Sequence, residues 1–267
     1  TLQPGGCMEV VRRWQAEGRI GHVGFSTHGP TALIAQACDS GAFDYVNLHW
    51  YYIRQDNGPA LDAARRQDMG VFIISPTDKG GHLHTPSQRL LELCAPLHPI
   101  VFNDLFCLQD PRVHTISVGA ARPEDLELHL EALRLLPEAA SLIAPVDQRL
   151  RQAADEALGR DWMATWSVGL PPWHATPGEI NLPVLLWLYN LLEAWDLESY
   201  AKARYGLLGS GGHWFAGANA DGFDAEVSAE ELQSVLQESP WRERIPEILR
   251  SLKQRLKGES QMRLSSV

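Results

Sequence analysis

Residues 18–30 read GRIGHVGFSTHGP, and this stretch decides the fold. Residues 7–17, which precede it, have the apolar periodicity of a helix, and Gly18 can end that helix. A short apolar strand then runs over residues 20–25 and stops on the hydroxyl-rich, Gly/Pro-closed turn STHGP. Because α/β proteins keep their chemistry at the C-terminal ends of parallel strands, the stretch predicts a strand–helix boundary with a functional polar end.

The strand–helix pattern repeats downstream. Further strands are predicted over residues 43–49, 69–75 and 113–118. Helices are predicted over residues 31–40, 59–67, 87–94, 100–107 and 123–136, with a long polar loop over residues 76–86. Each crossover is long enough for a parallel connection, which predicts a parallel sheet with helices outside it. Four such units make half of a (β/α)8 barrel, and an open doubly wound sheet is the alternative architecture.

The pattern changes near residue 147, where strand-like runs stop. Helices are predicted over residues 148–158, 182–192, 196–205, 229–237 and 242–256. Ser228, three residues before Glu231, predicts a capping box at the start of one of them. The sequence therefore predicts two domains, an α/β half-barrel over residues 1–146 and an all-helical C-terminal extension over residues 147–267.

Composition limits the classes of partner. The chain has 267 residues, 45% of them hydrophobic, which is enough for a large core. A net charge of -10 argues against binding to nucleic acid, whose partners concentrate Lys and Arg on one face. The 4 cysteines are far apart without a CxxC spacing, so a cytoplasmic protein without zinc or disulfides is expected. Charges interrupt the apolar runs before the ~20 residues of a membrane span, so no membrane partner is expected.

Polar residues follow each predicted strand, and in a parallel barrel they converge on one rim. After the fourth strand, Gly119 and Ala120 let backbone N–H groups approach an anion, and Arg122 adds a bidentate donor. This combination suits a phosphate, and an ordinary turn with a solvent-exposed arginine is the alternative.

Histidines are candidates at the same rim. His28 and His49, at two strand ends, are either contacts for a substrate or cofactor or satisfied hydrogen-bonding residues. His82 and His84 lack an identifiable third metal ligand, so a solvated pair in a loop is favoured over a metal site.

Four segments together resemble a known family. They are residues 18–30, FDYVNLHWYY at residues 43–52, MGVFIISPTDKGG at residues 69–81 and ISVGAARPEDLELH at residues 116–129. In this order and spacing they are similar to the second half of an aldo/keto reductase barrel, from the helix before strand five through strand eight. The resemblance covers essentially the whole chain, because the tail is similar to the extension of a bacterial iron–sulfur subgroup. It implies an NADP-dependent oxidoreductase that reduces a small-molecule carbonyl to an alcohol.

The resemblance assigns the nicotinamide of the cofactor to the first two strand ends and the pyrophosphate to the third. Ser26 and Thr27 take the place of the family's Ser-Asn pair, which hydrogen-bonds the nicotinamide carboxamide. Asn47 stands where a Gln or Asn makes the same contact. Ser75 and Pro76 match the loop that passes beside the pyrophosphate.

The adenosine end is assigned to the fourth strand. Gly119, Ala120 and Arg122 match the segment that holds the adenosine-side phosphate, which implies NADP rather than NAD. His129 stands where an Asn commonly contacts adenine. Ile74 replaces an aromatic ring that many members place against the nicotinamide.

The family's catalytic Asp, Tyr, Lys and His come from strands one to four, which are not in this chain. Tyr51 and Tyr52 lie past the sixth-strand end and do not replace them. No catalytic residue is therefore predicted, and the chain is expected to be an inactive fragment that is insoluble alone or associates with another half-barrel. The alternative is a non-catalytic nucleotide-binding or assembly subunit derived from the same barrel.

The tail resembles the iron–sulfur subgroup without its ligands. Ser239-Pro240-Trp241 followed by Ile245-Pro246 keeps the family's frame, with Ser in the place of a cysteine. Residues 209–240 contain no Cys, and a thiolate-bound cluster needs cysteines, so no iron–sulfur cluster is expected.

Overall fold

The structure is a computed structural model that describes residues 1–209 and 215–258. The chain divides into two compact units. The first unit comprises Thr1–His84 and Pro96–Ala144, and the second comprises Thr85–Ala95 and Pro145–Val267.

A single parallel sheet organises the first unit. Its strands are β1 (Gly24–Ser26), β2 (Tyr45–Leu48), β3 (Gly70–Ile74) and β4 (Thr115–Ser117), in the spatial order β1-β2-β3-β4. All three pairings are parallel, which confirms the α/β class and the parallel sheet. The strand predicted over residues 20–25 shortens to β1, because pairing with β2 begins only at Gly24.

Helices connect these strands. They are α1 (Cys7–Ala16), α2 (Thr31–Asp39), α3 (Gly58–Arg66), α4 (Pro76–Lys79), α5 (Gln88–Cys94), α6 (Pro99–Leu108) and α7 (Glu127–Leu135), of which α5 belongs to the second unit. Two predictions are wrong in detail. The loop predicted over residues 76–86 begins with the helical turn α4, and the helix predicted over residues 123–136 begins as the 3-10 helix Pro123–Leu126.

Burial alternates along the two central strands. Val46, Leu48, Val71 and Ile73 are at most 1% exposed, whereas Tyr45, Asn47, Phe72 and Ile74 between them are half-buried. Because successive side chains of a strand point to opposite faces, one face of the sheet is packed and the other is partly open. On the partly open face the rings of Tyr45 and Phe72 lie 5.4 Å apart.

The second unit is helical in its described residues. Its further helices are α8 (Ala139–Leu158), which begins in the first unit after the 3-10 turn Leu136–Glu138, and α9 (Arg160–Thr165), α10 (Leu182–Trp195), α11 (Glu198–Tyr205), α12 (Ala229–Ser234) and α13 (Ile245–Leu256). Short 3-10 turns lie at Trp173–Ala175 and Pro177–Glu179. The predicted capping box is confirmed, since Ser228 N–H donates to Glu231 Oε2 at 2.8 Å and Glu231 N–H to Ser228 Oγ at 3.2 Å.

An aromatic cluster around Trp162 packs in this unit. Trp162 is 1% exposed, and its Nε1 donates to Asn190 Oδ1 at 2.6 Å. The Arg244 guanidinium lies 4.5 Å from the centre of the Trp162 ring, and Trp241 packs against the same ring. Among the described residues no single helix is long and apolar enough to cross a membrane, and only the bent pair α5–α6 has the required length and composition.

Candidate functional site

The C-terminal ends of the four strands lie along one edge of the sheet, because all pairings are parallel. Ser26 is directly opposite Asn47, and Asn47 is directly opposite Phe72. Residues in register on neighbouring strands share a face, so Ser26 and Asn47 stand side by side on the partly open face. The structure therefore brings together two of the residues predicted to contact a nicotinamide.

The turn after β1 is short and internally bonded. Thr27 Oγ1 accepts a hydrogen bond from the Gly29 N–H at 3.0 Å. Thr27 is half-buried, whereas Ser26 and His28 are exposed. Of the two residues predicted at this strand end, Ser26 is the more open to a ligand.

The turn after β3 is held in an unusual conformation. Ser75 adopts φ 51° and ψ 52°, the left-handed region that a residue other than Gly rarely occupies. Its N–H donates to the Ser117 carbonyl at 2.8 Å, and its own carbonyl accepts from the Lys79 N–H at 2.9 Å. Asn103 Nδ2 fastens the turn from α6 by donating to the Pro76 carbonyl at 3.0 Å. Left-handed residues cluster at functional sites, where surrounding contacts hold them in place.

This turn places a lysine beside a histidine from the next strand. Lys79 Nζ lies 3.2 Å from His49 Nε2, and an ammonium can only donate, so Nε2 is the acceptor in this contact. The His28 ring lies 5.1 Å from the His49 ring, and Asn57 Nδ2 donates to the His49 carbonyl at 2.9 Å. We call His28, His49 and Lys79 the rim basic cluster.

The sequence pattern places Lys79 only among the polar residues that follow the third strand and assigns it no contact with the cofactor. Its contact with His49 joins two residues that are 30 positions apart, so the sequence carries no local signal for it. The available signal was their shared position just after neighbouring parallel strands.

Tyr51 is not open to a substrate. The side chain is 0% exposed, and its hydroxyl donates to the Ile74 carbonyl. Its ring stacks on His49 with the centres 6.0 Å apart. Tyr51 therefore supports the base of the rim basic cluster.

The turn after β4 is occupied by a carboxylate of the chain itself. Asp125 Oδ2 accepts from the Ala121 N–H at 3.0 Å and the Arg122 N–H at 3.1 Å, and Arg122 Nη2 donates to Asp125 Oδ1 at 3.1 Å. The backbone donors of Ala121 and Arg122, followed by the Arg122 side chain, lower the pKa of Asp125. Gly119, Ala120 and Arg122 are exposed as a phosphate contact requires, but the Arg122 donors and the Ala121 N–H already bind an anion.

His129 lies inside the first unit. Its side chain is 7% exposed, and Nδ1 lies 2.5 Å from Oδ2 of Asp104, which is 1% exposed and lies on α6. Asp104 Oδ1 and His129 Nε2 are also buried, and neither has a hydrogen-bond partner among the described residues. Burial raises the pKa of Asp104 despite the His129 contact. The residue predicted to contact adenine is thus half of a buried pair between α6 and α7.

The His, Cys, Asp and Glu side chains of the described residues do not form a metal site. In residues 1–209 and 215–258, no group of three or more His, Cys, Asp or Glu side chains could hold a metal ion. His82 Nε2 lies 3.5 Å from Asp78 Oδ1. Burial raises the pKa of Cys94 to about 12 and that of Cys38 to about 11, which disfavours the reactive thiolate.

Of the tail that resembles the iron–sulfur extension, residues 210–214 and 259–267 lie outside the described residues. Ser239 is 6% exposed, and its Oγ accepts from the Trp241 N–H at 3.3 Å. Phe223, Leu232 and Leu236 in this segment are 0% exposed. Apolar packing therefore stabilises this part of the second unit.

Comparison of the chain with models of known families, with curated proteins and with solved structures found no match. The strand ends themselves are therefore the basis for assigning a function. They combine a Ser–Asn pair, a strained turn and the rim basic cluster along one edge of a parallel sheet.

Proposed function

We propose that the first unit is the cofactor-binding half of an aldo/keto reductase-type (β/α)8 barrel and binds a nicotinamide dinucleotide across its four strand ends. The observation that carries the proposal is the register of Ser26 opposite Asn47 at the C-terminal ends of β1 and β2. A carboxamide has both a donor and an acceptor, and a hydroxyl beside a side-chain amide can satisfy both. The aromatic rings of Tyr45 and Phe72 on the same face add apolar surface below the pair.

The pyrophosphate would then lie at the next strand ends. A pyrophosphate needs positive charge and hydrogen-bond donors, and Lys79 supplies an ammonium beside the strained Ser75 turn. His49 positions that ammonium by accepting one of its hydrogens. NADPH is the form of the dinucleotide that the family resemblance implies.

The proposed reaction in an intact protein is hydride transfer from the nicotinamide to a carbonyl carbon, with a tyrosine protonating the carbonyl oxygen. The residues described above bind and orient the cofactor, and Tyr51 is buried against Ile74. We therefore expect the 267-residue chain to show no carbonyl-dependent oxidation of NADPH, followed through the nicotinamide absorbance. Measurable turnover would mean that an acid within this chain has been overlooked.

Titration of the chain with NADPH by calorimetry tests the binding proposal. Lys79→Met removes a charged donor, and hydrogen bonds to charged groups contribute about 1.5–3 kcal/mol, so the affinity should fall by about tenfold or more. Lys202→Met is the matched control, because Lys202 forms an exposed ion pair with Glu198 on α11 of the second unit. Equal affinities for wild type and Lys79→Met would contradict the assignment of the pyrophosphate to this turn.

Asp125 supplies a prediction about the phosphate on the adenosine. Replacing it with alanine releases the Ala121 and Arg122 donors and removes a negative charge from the turn after β4. The affinity for 2′,5′-ADP relative to 5′-ADP should therefore rise by about fivefold. Asp224→Ala, which breaks an exposed pair with Arg250 in the second unit, is the control. An unchanged ratio in Asp125→Ala would show that this turn does not meet the adenosine phosphate.

A further inference from the structure

One buried amide on α6 contacts the turns after β2 and β3. Asn103 is 2% exposed. Its Oδ1 accepts a hydrogen bond from the Tyr52 N–H at 3.1 Å, in the turn after β2, and its Nδ2 donates to the Pro76 carbonyl at 3.0 Å, in the turn after β3. Both ends of this amide therefore have partners, and the partners follow two neighbouring strands.

The two partners fix the orientation of the amide. A backbone N–H can only donate and a backbone carbonyl can only accept, so the oxygen of Asn103 faces Tyr52 and the nitrogen faces Pro76. An ionised aspartate has nearly the same shape, but it would keep the first bond and lose the second, because it has no hydrogen to donate. The asparagine therefore suits both turns at once.

Gly80 leaves room for this amide. Its φ of -82° is open to any residue, so the backbone conformation does not require a glycine there. A Cβ at Gly80 would lie 2.9 Å from Asn103 Nδ2 and would crowd the Pro76 carbonyl oxygen. The close approach of α6 to the turn after β3 therefore explains the glycine.

A second buried side chain of α6 contacts the turn after β2. Cys107 is 0% exposed and lies one helical turn beyond Asn103, and its Sγ donates to the Trp50 carbonyl at 3.1 Å. Burial raises the pKa of the Cys107 thiol, which keeps the proton that it donates. Helix α6 therefore holds the backbone after β2 at two points, Trp50 and Tyr52.

The turn after β3 depends on contacts of this kind, because a left-handed residue such as Ser75 persists only where its surroundings hold it. The Lys79 N–H donates to the Ser75 carbonyl, so a shift of the turn also shifts Lys79. We propose that Asn103 is a positioning residue that holds the turn after β3 against the turn after β2 and so keeps Lys79 beside His49. Its effect on NADPH binding rests on the proposed function, whereas its hold on the two turns does not.

A double-mutant cycle with NADPH tests this role. Asn103→Asp should lower the affinity about fivefold, because the bond to the Pro76 carbonyl is lost and Lys79 moves. If the effect passes through Lys79, adding Asn103→Asp to Lys79→Met should change the affinity by less than about twofold. The full loss in both backgrounds, or no loss in the wild-type background, would overturn the proposal.

Asn190→Asp is the matched control. Asn190 is a buried asparagine of the second unit, 7% exposed, and accepts a hydrogen bond from Trp162 Nε1. Its replacement should leave the NADPH affinity unchanged. If circular dichroism shows that Asn103→Asp is not folded, Asn103→Ala takes its place in the cycle, because it removes both hydrogen bonds without adding a charge.

Amide hydrogen exchange without cofactor separates this inference from the proposed function. Asn103→Asp should speed exchange about threefold or more in peptides that cover residues 75–79 and leave residues 24–26 unchanged, because only the turn is released. Faster exchange at residues 75–79 in a chain whose wild type does not bind NADPH would overturn the proposed function alone. Unchanged exchange there, or equal acceleration throughout the first unit, would overturn the positioning role even if the wild type binds NADPH.

Discussion

Replacing His129 with leucine is expected to lower the free energy of unfolding of the first unit by about 3–5 kcal/mol. The substitution leaves the Asp104 side chain, 1% exposed on α6, without the imidazole whose Nδ1 lies 2.5 Å from its Oδ2. A buried carboxylate without a partner carries a desolvation penalty that the Coulombic attraction previously offset. Urea denaturation followed by circular dichroism measures the effect.

The double variant Asp104→Leu/His129→Leu is the control for this prediction. It replaces both partners with apolar side chains, which is often much less costly than removing one of them. We expect it to be more stable than His129→Leu alone. If the double variant were the less stable one, loss of apolar packing rather than an unpaired carboxylate would explain the single substitution.

The same pair predicts a pH dependence. Burial raises the pKa of Asp104 in the folded protein above its value in the unfolded chain. The folded state therefore holds this proton more tightly, and the Asp104 contribution to stability is fully present below the unfolded-state pKa and is lost as the pH rises through the folded-state pKa. Asp104→Asn should remove this component from a plot of unfolding free energy against pH, and an unchanged plot would contradict the assignment.

Gly169→Ala is expected to destabilise the second unit by about 2–5 kcal/mol. Gly169 adopts φ +70°, and a Cβ built on it would lie 2.3 Å from the carbonyl carbon of Glu238. The left-handed conformation costs a non-Gly residue about 1–2 kcal/mol, and overpacking adds about 1–3 kcal/mol. Thermal unfolding of the variant measures the sum.

Gly18→Ala separates the two contributions. Gly18 has nearly the same φ, +71°, but a Cβ there would meet no atom within 4 Å. It should therefore show only the conformational cost. Equal destabilisation by the two substitutions would contradict the close approach of Gly169 to the backbone at residues 238–239.

Patterns in the sequence predict those elements that depend only on residues close together in the chain. The four parallel strands follow from apolar runs separated by helical crossovers, and the Ser228–Glu231 capping box follows from residue types at a fixed spacing. The sequence pattern does not predict the helical turn α4, because this turn depends on the left-handed conformation of Ser75. That conformation is held by hydrogen bonds to Ser117 and, through Pro76, to Asn103.

Some contacts of the candidate site can likewise be predicted from the sequence, and others cannot. Placing Ser26 beside Asn47 required only that the strands be parallel and adjacent. The Lys79–His49 contact and the burial of His129 against Asp104 join residues 30 and 25 positions apart, so the strand pattern alone could not predict them. The contact of Asp125 with the turn after β4 is local, but the sequence does not predict it. An acidic residue in the first turn of a helix is favourable at the N-terminus, and here its carboxylate also occupies the backbone N–H groups that a phosphate would use.

Amide hydrogen exchange of the full chain, with and without saturating NADPH, tests the central claim most directly. A dinucleotide bound across the strand ends should slow exchange together in peptides that cover residues 24–28, 45–49 and 75–79, while peptides of the second unit remain unchanged. Protection confined to other parts of the chain, or no protection at a concentration where wild-type binding should be complete, would contradict the proposal that these strand ends bind a nicotinamide dinucleotide.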